Sequence, residues 1–242
     1  MFRALLATLL LLSAIGILGP TVVSASEPEA KPDEGGCSSE QGLGERVAAR
    51  IQQRYDGIRD LRARFEQTSE SATFGGTPLM TAEKKRGRVV FAKPGRMRWS
   101  YEEPERSEVV SNGTTLWIYD VEARSATRLA VTAGFLSGAA LQFLLGDGKI
   151  LESFEVEVRD CDAERVMLDL IPRREASYER LGLVADRDSG NVVATSVKDL
   201  FGNLTRIRFE QIETNVGPDS EVFELSVPQG VEIIEYEALP GG

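Results

Sequence analysis

GRVVFAKPGRMRWSYEEPERSEVVSNGTTLWIYD, residues 87–120, carries the clearest strand pattern of the chain. In its centre Met97, Trp99 and Tyr101 alternate with two arginines and a serine. A period of two, with large apolar groups on one side and charge on the other, is typical of a half-buried β-strand. We therefore expect one strand here with a wide apolar face.

A second strand follows in the same segment. Ser111-Asn112-Gly113 has the composition of a hairpin turn, and the residues after it place aromatic rings at Trp117 and Tyr119. Both tryptophans of the chain therefore lie in one predicted hairpin. Ordinary core packing is the simpler interpretation, but the concentration of bulk also fits a sheet that lines a space. The pattern leaves open which face of the second strand is the inner one, because Leu116 and Ile118 are as apolar as the aromatic residues.

The amino-terminal segment is expected to lie outside the fold. Residues 1–25 combine a positive start, an apolar run from Ala4 to Leu18 and small residues at 23–25, which is typical of a cleaved secretory signal. Residues 26–44 are rich in Pro, Gly, Ser and Glu and are expected to form a flexible lead-in. Residues 45–242 then form a single domain.

Charge and composition exclude several functions. The net charge is −10, and cleavage of the signal would remove Arg3 and no acidic residue, which makes it −11. An acidic chain gains nothing from counterion release on nucleic acid, and an anionic membrane surface repels it. There is no histidine, so the commonest general base and histidine metal sites are missing. We expect no enzyme, no cofactor and no metal.

The two cysteines, Cys37 and Cys161, form an even pair in a chain expected to be exported. An oxidising compartment favours one disulfide between them. Two unpaired thiols are the alternative.

The rest of the chain indicates a mainly β (α+β) fold. Short alternating strands follow one another with tight turns between them, which favours an antiparallel sheet curled toward a barrel. The predicted helices and strands are a helix over 45–58, a strand over 61–68, an apolar helix over 137–145, a short helix over 149–153, and strands around 154–158, 166–170, 181–185, 192–198, 204–212, 223–225 and 231–233.

An ordered set of short motifs resembles the LolA family of periplasmic lipoprotein carriers. The motifs span about Glu45 to Ile234, and their order and spacing are specific although no single piece is. They are Phe65-Glu66-Gln67, Gly87, Phe91-Ala92-Lys93-Pro94-Gly95-Arg96-Met97-Arg98-Trp99, Tyr101, Pro104, Ser111-Asn112-Gly113, Leu116-Trp117-Ile118-Tyr119-Asp120, Asp199, Gly202-Asn203, Phe223 and Val227-Pro228-Gln229-Gly230-Val231.

The resemblance implies an unclosed antiparallel β-barrel with an α-helical lid over an apolar cavity. It also implies a soluble, monomeric periplasmic carrier that takes acylated lipoproteins from an inner-membrane ABC exporter to an outer-membrane lipoprotein receptor. The acyl-chain cavity is then expected to involve Phe65, Val89, Phe91, Met97, Trp99, Tyr101, Trp117 and Tyr119, and the lid Phe135, Leu136, Leu141, Phe143 and Leu144. A carrier of another acylated lipid, or an envelope lipid sensor or regulator, is the alternative.

One position departs from the family pattern. Many relatives have an arginine before the proline, where it hydrogen-bonds to the lid, and this chain has Lys93. Lysine lacks the five-donor fork of arginine, so Lys93 is a weaker lid latch. Arg96 or Arg98 could hold the lid in its place.

Overall fold

The computed structural model describes residues 41–71, 73–74, 77–78, 83–131 and 148–236. Strands dominate these ranges, and no helix in them is long and apolar enough to cross a membrane. The helices are α1 (Leu43–Asp56), α2 (Ile150–Ser153) and a 3-10 helix (Ser220–Phe223), and the strands are β1 (Asp60–Glu70), β2 (Thr73–Phe74), β3 (Thr77–Pro78), β4 (Glu83–Ala92), β5 (Arg96–Glu103), β6 (Ser107–Asn112), β7 (Thr115–Asp120), β8 (Ser125–Ala130), β9 (Phe154–Cys161), β10 (Arg165–Pro172), β11 (Tyr178–Asp186), β12 (Val192–Asp199), β13 (Leu204–Thr214) and β14 (Glu232–Tyr236).

Twelve of the described strands form one open sheet. Its order is β14-β8-β7-β6-β5-β4-β1-β13-β12-β11-β10-β9, and β2 pairs with β3 separately. The two outer strands, β14 and β9, are not paired with each other, so the sheet is unclosed as predicted. The sheet is antiparallel except at one edge, where β14 runs parallel to β8. The predicted mainly β fold with an unclosed antiparallel sheet is confirmed, with this one parallel pair added at the edge.

Helix α1 packs on the inner face of the sheet. Val47, Ile51 and Tyr55, at four-residue spacing, are buried, while the side of the helix that carries Arg46 and Arg50 is exposed. The helix lies so close to β9 that a Cβ added at Gly44 would stand 3.2 Å from the Val156 side chain. The predicted helix over 45–58 is confirmed, but it begins and ends two residues earlier, so its start lies within the predicted lead-in.

The inner face holds the core because side chains alternate between the two sides of each strand. The apolar residues of one parity in β1, β4, β5, β10 and β11 join those of α1 in a single cluster of buried side chains. Members from the strands include Leu61, Ala63, Phe65, Val89, Phe91, Met97, Trp99, Val166, Leu168, Leu170, Leu181 and Leu183.

The outer face is crossed by the connection between β13 and β14, residues 215–231, which we call the outer-face crossover. It includes the 3-10 helix, where a strand over 223–225 was predicted. Phe223 is buried beneath the Arg96 guanidinium, whose central carbon lies 5.1 Å from the ring centroid. Arg98 donates from Nη1 to the Val222 carbonyl oxygen over 3.1 Å. The segment forms a single helical turn where it makes these contacts, so the predicted strand is wrong.

The predicted signal, most of the predicted lead-in and the predicted lid helix lie outside the described residues.

Candidate functional site

The inner face of the sheet carries a cluster in which four aromatic side chains surround Trp99. Its ring centroid lies 4.8 Å from that of Phe65, 5.5 Å from Phe91, 6.4 Å from Tyr101 and 6.4 Å from Phe209. The contacts with Phe65 and Phe91 are edge-to-face, an arrangement that the ring quadrupoles favour. The cluster therefore forms a continuous apolar surface across β13, β1, β4 and β5.

The cluster is possible because β4 has a glycine in its centre. Gly87 stands in register between Phe65 on β1 and Tyr101 on β5, and these two rings meet at 5.1 Å. A Cβ at Gly87 would lie 2.0 Å from the Ser100 carbonyl oxygen and 2.9 Å from the Phe65 ring. Only glycine fits here, so the two rings close over a position with no side chain.

Tyr101 gives the cluster a polar end. Its hydroxyl donates to Gln67 Oε1 over 3.1 Å, while burial raises the pKa of the hydroxyl. The ring is therefore held neutral and in a fixed orientation at the half-buried rim of the cluster.

From the aromatic cluster the apolar face continues toward β14. Register places Trp99, Val109, Ile118, Thr127 and Ile234 in one row across β5, β6, β7, β8 and β14. Trp99 is only 5% exposed, whereas Ile118 is 40% and Ile234 47% exposed. The row therefore runs from a buried cluster to exposed apolar side chains at the edge of the sheet.

The same register corrects the assignment of two predicted cavity residues. Because Val109 pairs with Ile118 and Val110 with Trp117, Ile118 shares the face of Trp99 and Trp117 lies on the other side. The Trp117 ring packs under the Arg128 guanidinium at 5.5 Å, and Tyr119 has the same parity as Trp117. The prediction that Trp117 and Tyr119 join the Met97, Trp99 and Tyr101 face is wrong.

The other predicted cavity residues lie together. Phe65, Val89, Phe91, Met97 and Trp99 are buried and Tyr101 half-buried, all on the inner face. Sequence reasoning missed Phe209, Leu116 and Ile118, which share this face. Alternation within 204–212 was a usable signal for Phe209, whereas the choice between the two parities of β7 needed the pairing register.

A family model, described as "Outer membrane lipoprotein carrier protein LolA", matches residues 56–226. That range is more than half of the chain. The chain belongs to the LolA family.

Proteins similar to this LolA-family chain include two named outer-membrane lipoprotein carrier protein. The protein from Methylococcus capsulatus is 30% identical over 190 residues, which cover 77% of this chain and 86% of that protein. The protein from Alkalilimnicola ehrlichii is 31% identical over 197 residues, which cover 80% of this chain and 86% of that protein. Among solved structures, a LolA superfamily protein from Nitrosomonas europaea is 12% identical with a TM-score of 0.40, covering 73% of this chain and 97% of that one.

In this LolA-family chain Lys93, predicted to be the lid latch, contacts helix α1. Its Nζ donates to the Tyr55 carbonyl oxygen over 2.5 Å, in the last turn of the helix, where a cation is favoured by the helix dipole. Tyr55 in turn accepts a hydrogen bond at its hydroxyl from the Val192 backbone N–H at 3.3 Å, and burial raises the pKa of that hydroxyl. Lys93 thus ties the strand end of β4 to α1.

The lid itself is not described. Phe135, Leu136, Leu141, Phe143 and Leu144 lie outside the described residues, so contact between Lys93 and the lid stays a prediction. The alternative latches, Arg96 and Arg98, point to the outer face, where they contact the crossover.

Cys161 ends β9 and is not a free thiol, but Cys37 lies outside the described residues. The pairing of the two therefore stays a prediction.

No group of three or more potential metal ligands occurs among the described residues. The LolA family is named for carrying a lipoprotein and not for a reaction.

Proposed function

We propose that the protein carries outer-membrane lipoproteins through the periplasm with their acyl chains against the inner face of the sheet. The observation that carries the proposal is the inner-face row that runs from the buried Trp99 cluster through exposed Ile118 to exposed Ile234 on the edge strand and is apolar except at Thr127. Membership of the LolA family and the names of its relatives support it.

The physical need for such a face is large. One acyl chain with roughly 14 methylenes represents on the order of 11 kcal/mol of transfer free energy from lipid to water, at about 0.8 kcal/mol per methylene. A multiply acylated protein therefore cannot cross water unshielded at a useful rate. A carrier must cover the chains and still release them.

The aromatic cluster suits this task because apolar contacts between its side chains and an acyl chain are not directional. Edge-to-face rings and the Met97 thioether offer surface to a flexible chain without hydrogen bonds that fix its position. The cluster is closed in this structure, since Phe65 is 3% and Trp99 5% exposed. Acyl chains would have to separate the aromatic side chains in order to bind. Because the cluster can close again when the chains leave, binding of this kind is reversible.

The proposed exchange partners are an ABC exporter in the inner membrane and a lipoprotein receptor in the outer membrane. The proposed carrier acts as a soluble monomer between them. It needs no reaction chemistry, and the absence of histidine from the chain is in keeping with that.

The test is release of lipoprotein from spheroplasts. Spheroplasts that hold a labelled outer-membrane lipoprotein are mixed with the purified protein, and the soluble fraction is analysed for a complex. We expect a complex of one carrier with one lipoprotein. Absence of any soluble complex would contradict the carrier proposal, and capture of a free acylated lipid without lipoprotein would point to a different lipid cargo.

The two tryptophans provide a matched pair of variants, because they lie on opposite faces. Trp99→Glu places a charge in the apolar cluster and is expected to abolish binding of an acyl probe. Trp117→Glu places the same charge beside Arg128 on the outer face and is expected to leave binding unchanged. Far-UV circular dichroism checks that both variants fold. Equal binding by both would show that the inner face does not hold acyl chains.

A further inference from the structure

The turn between β12 and β13, residues Asp199 to Asn203, exposes two large apolar side chains; we call it the β12–β13 tip. Leu200 is 66% and Phe201 84% exposed, the highest values among the large apolar side chains of the described residues. They are adjacent in sequence and lie at the end of a hairpin, where polar residues are usual. Two adjacent, strongly exposed apolar side chains form a contiguous patch, which makes the tip a candidate for contact with another molecule.

The backbone of the tip is fixed by its own side chains. The Asp199 carboxylate accepts hydrogen bonds from the Phe201 N–H at 2.9 Å and from the Asn203 N–H and Nδ2 at 2.8 Å each. Gly202 supplies the left-handed conformation that the turn requires, with φ of 86°. The two apolar side chains are therefore presented by a pre-formed loop, and contact costs little conformational entropy.

The charges at the base of the tip are already satisfied. Asp199 is engaged by the hydrogen bonds of its own turn, and Lys198 forms an ion pair with Glu179 at 2.6 Å. A charge without a partner would oppose transfer of the tip into a medium of low dielectric constant. The groups at the end of the tip, which would enter the medium of low dielectric constant first, are backbone and apolar side chains.

The size of the patch indicates what covers it. Two such side chains bury on the order of 300–400 Å², below the roughly 600 Å² that each partner contributes to even a small stable protein interface. A bilayer needs no shape complementarity and accepts single apolar side chains at its interface. The chain carries a net charge of −10, which opposes adsorption to anionic lipid, so contact would depend on apolar insertion.

We propose that the β12–β13 tip inserts Leu200 and Phe201 into the interfacial layer of a phospholipid bilayer and so holds the protein briefly at a membrane. Insertion through two side chains is weak, which suits a contact that must be broken again. The inference rests on the tip alone and is tested without lipoprotein, so its failure and the failure of the carrier proposal are separate results.

Phe201→Trp reports insertion directly. The exported variant, purified without cargo, is mixed with phosphatidylcholine vesicles that carry brominated acyl chains. The wild-type emission spectrum is subtracted to remove the contribution of Trp99 and Trp117. We expect a blue shift and bromine quenching of the added tryptophan. Val216→Trp is the matched control, because Val216 is 40% exposed and follows the opposite end of β13. An unshifted, unquenched Phe201→Trp signal would overturn the proposal.

Removal of the apolar groups gives the second readout. Phe201→Ser combined with Leu200→Ser is expected to lower the vesicle partition coefficient at least about tenfold, and Val216→Ser to leave it unchanged. The double variant should still bind an acyl probe, because the tip lies outside the aromatic cluster. Wild-type binding should be at least as strong on phosphatidylcholine as on vesicles containing phosphatidylglycerol, and should persist in high salt. Binding confined to anionic vesicles and lost in salt, or an unchanged partition of the double variant, would refute insertion.

Discussion

At the scale of single residues, a missing side chain organises the site. Gly87 leaves the space in which Phe65 and Tyr101 meet, and the backbone oxygen of Ser100 occupies the place of its Cβ. The adjacent rings shield the glycine backbone on one face. The aromatic surface therefore depends on the absence of a methyl group as much as on the rings.

Gly87→Ala is expected to lower the free energy of unfolding by about 2 kcal/mol or more, because backbone must move to relieve a 2.0 Å contact. Urea unfolding measures the change. Gly57→Ala is the control, since Gly57 has a φ of −81° and its added Cβ would lie 3.5 Å from the nearest atom. Equal stability of the two variants would mean that β4 and β5 adjust without strain.

Lys93 is a second single residue with a structural role, because it holds the end of α1. Lys93→Met removes the ammonium that the Tyr55 carbonyl accepts from, and we expect a loss of about 1 kcal/mol with faster hydrogen exchange in the last turn of α1. Lys93→Arg should restore most of the protection. Lys149→Met, which breaks an exposed pair with Asp56, should have little effect. Unchanged exchange in α1 after Lys93→Met would contradict this role.

At the scale of helices and strands, aspartates hold several hairpin turns. Asp162 Oδ1 accepts from the N–H groups of Arg165 and Glu164, which lower the pKa of its carboxyl. Asp186 Oδ1 accepts from the N–H and hydroxyl of Ser189, with the same effect on its pKa. Both turns therefore depend on an ionised carboxylate.

The stability that these turns provide should depend on pH in one direction. Because the folded pKa is lower than the unfolded one, the contribution is present above about pH 4 and is lost as the pH falls through the folded values. The denaturation midpoint, measured from neutral to acidic pH, should fall accordingly. Asp162→Asn with Asp186→Asn keeps two acceptors that do not titrate, so the acid dependence should flatten. If the denaturation midpoint of that variant fell with pH as steeply as that of the wild type, these two turns would not be the cause of the acid dependence.

Local patterns made much of the fold predictable. The four-residue spacing of Val47, Ile51 and Tyr55 is enough to predict α1, and Asn112-Gly113 marks the turn between β6 and β7. These features depend on neighbours in the chain. Met97, Trp99 and Tyr101 could be placed on one face for the same reason.

Features that depend on distant residues could not be predicted. Strand β7 is apolar at both parities, so only its pairing with β6 shows that Ile118, and not Trp117, faces inward. Phe223 sits in a helical turn that contacts Arg96 and Arg98 of β5, residues more than a hundred positions earlier in the chain. The parallel pairing of β14 likewise has no local signal.

At the scale of the whole molecule, the inner face of the open sheet extends from the buried core to an edge strand. A closed barrel would enclose that face, whereas here the row from Trp99 reaches exposed Ile234 on the last strand. In the proposed carrier, a flexible apolar cargo would then be added and removed without opening the strand pairs.

A disulfide between Cys37 and Cys161 is expected to tie the lead-in to the edge strand β9. Intact mass after alkylation under denaturing, non-reducing conditions should show no label on either cysteine. Reduction should then lower the free energy of unfolding by up to about 4–5 kcal/mol in the chain-entropy model. Two labelled thiols in the unreduced protein would contradict the pairing.

The outer-face crossover has a consequence for how the chain folds. It leads from β13, beside the central strand β1, past six strands to the far edge of the sheet, where β14 completes the pairing. One edge of strand β1 likewise stays unpaired until β13 has been synthesised, since Phe65 pairs with Phe209. Such non-local contacts slow folding. During synthesis the first half of the sheet therefore stands with an unpaired edge and an uncovered outer side until the last residues emerge, and it is in that interval that the chain is most prone to aggregate.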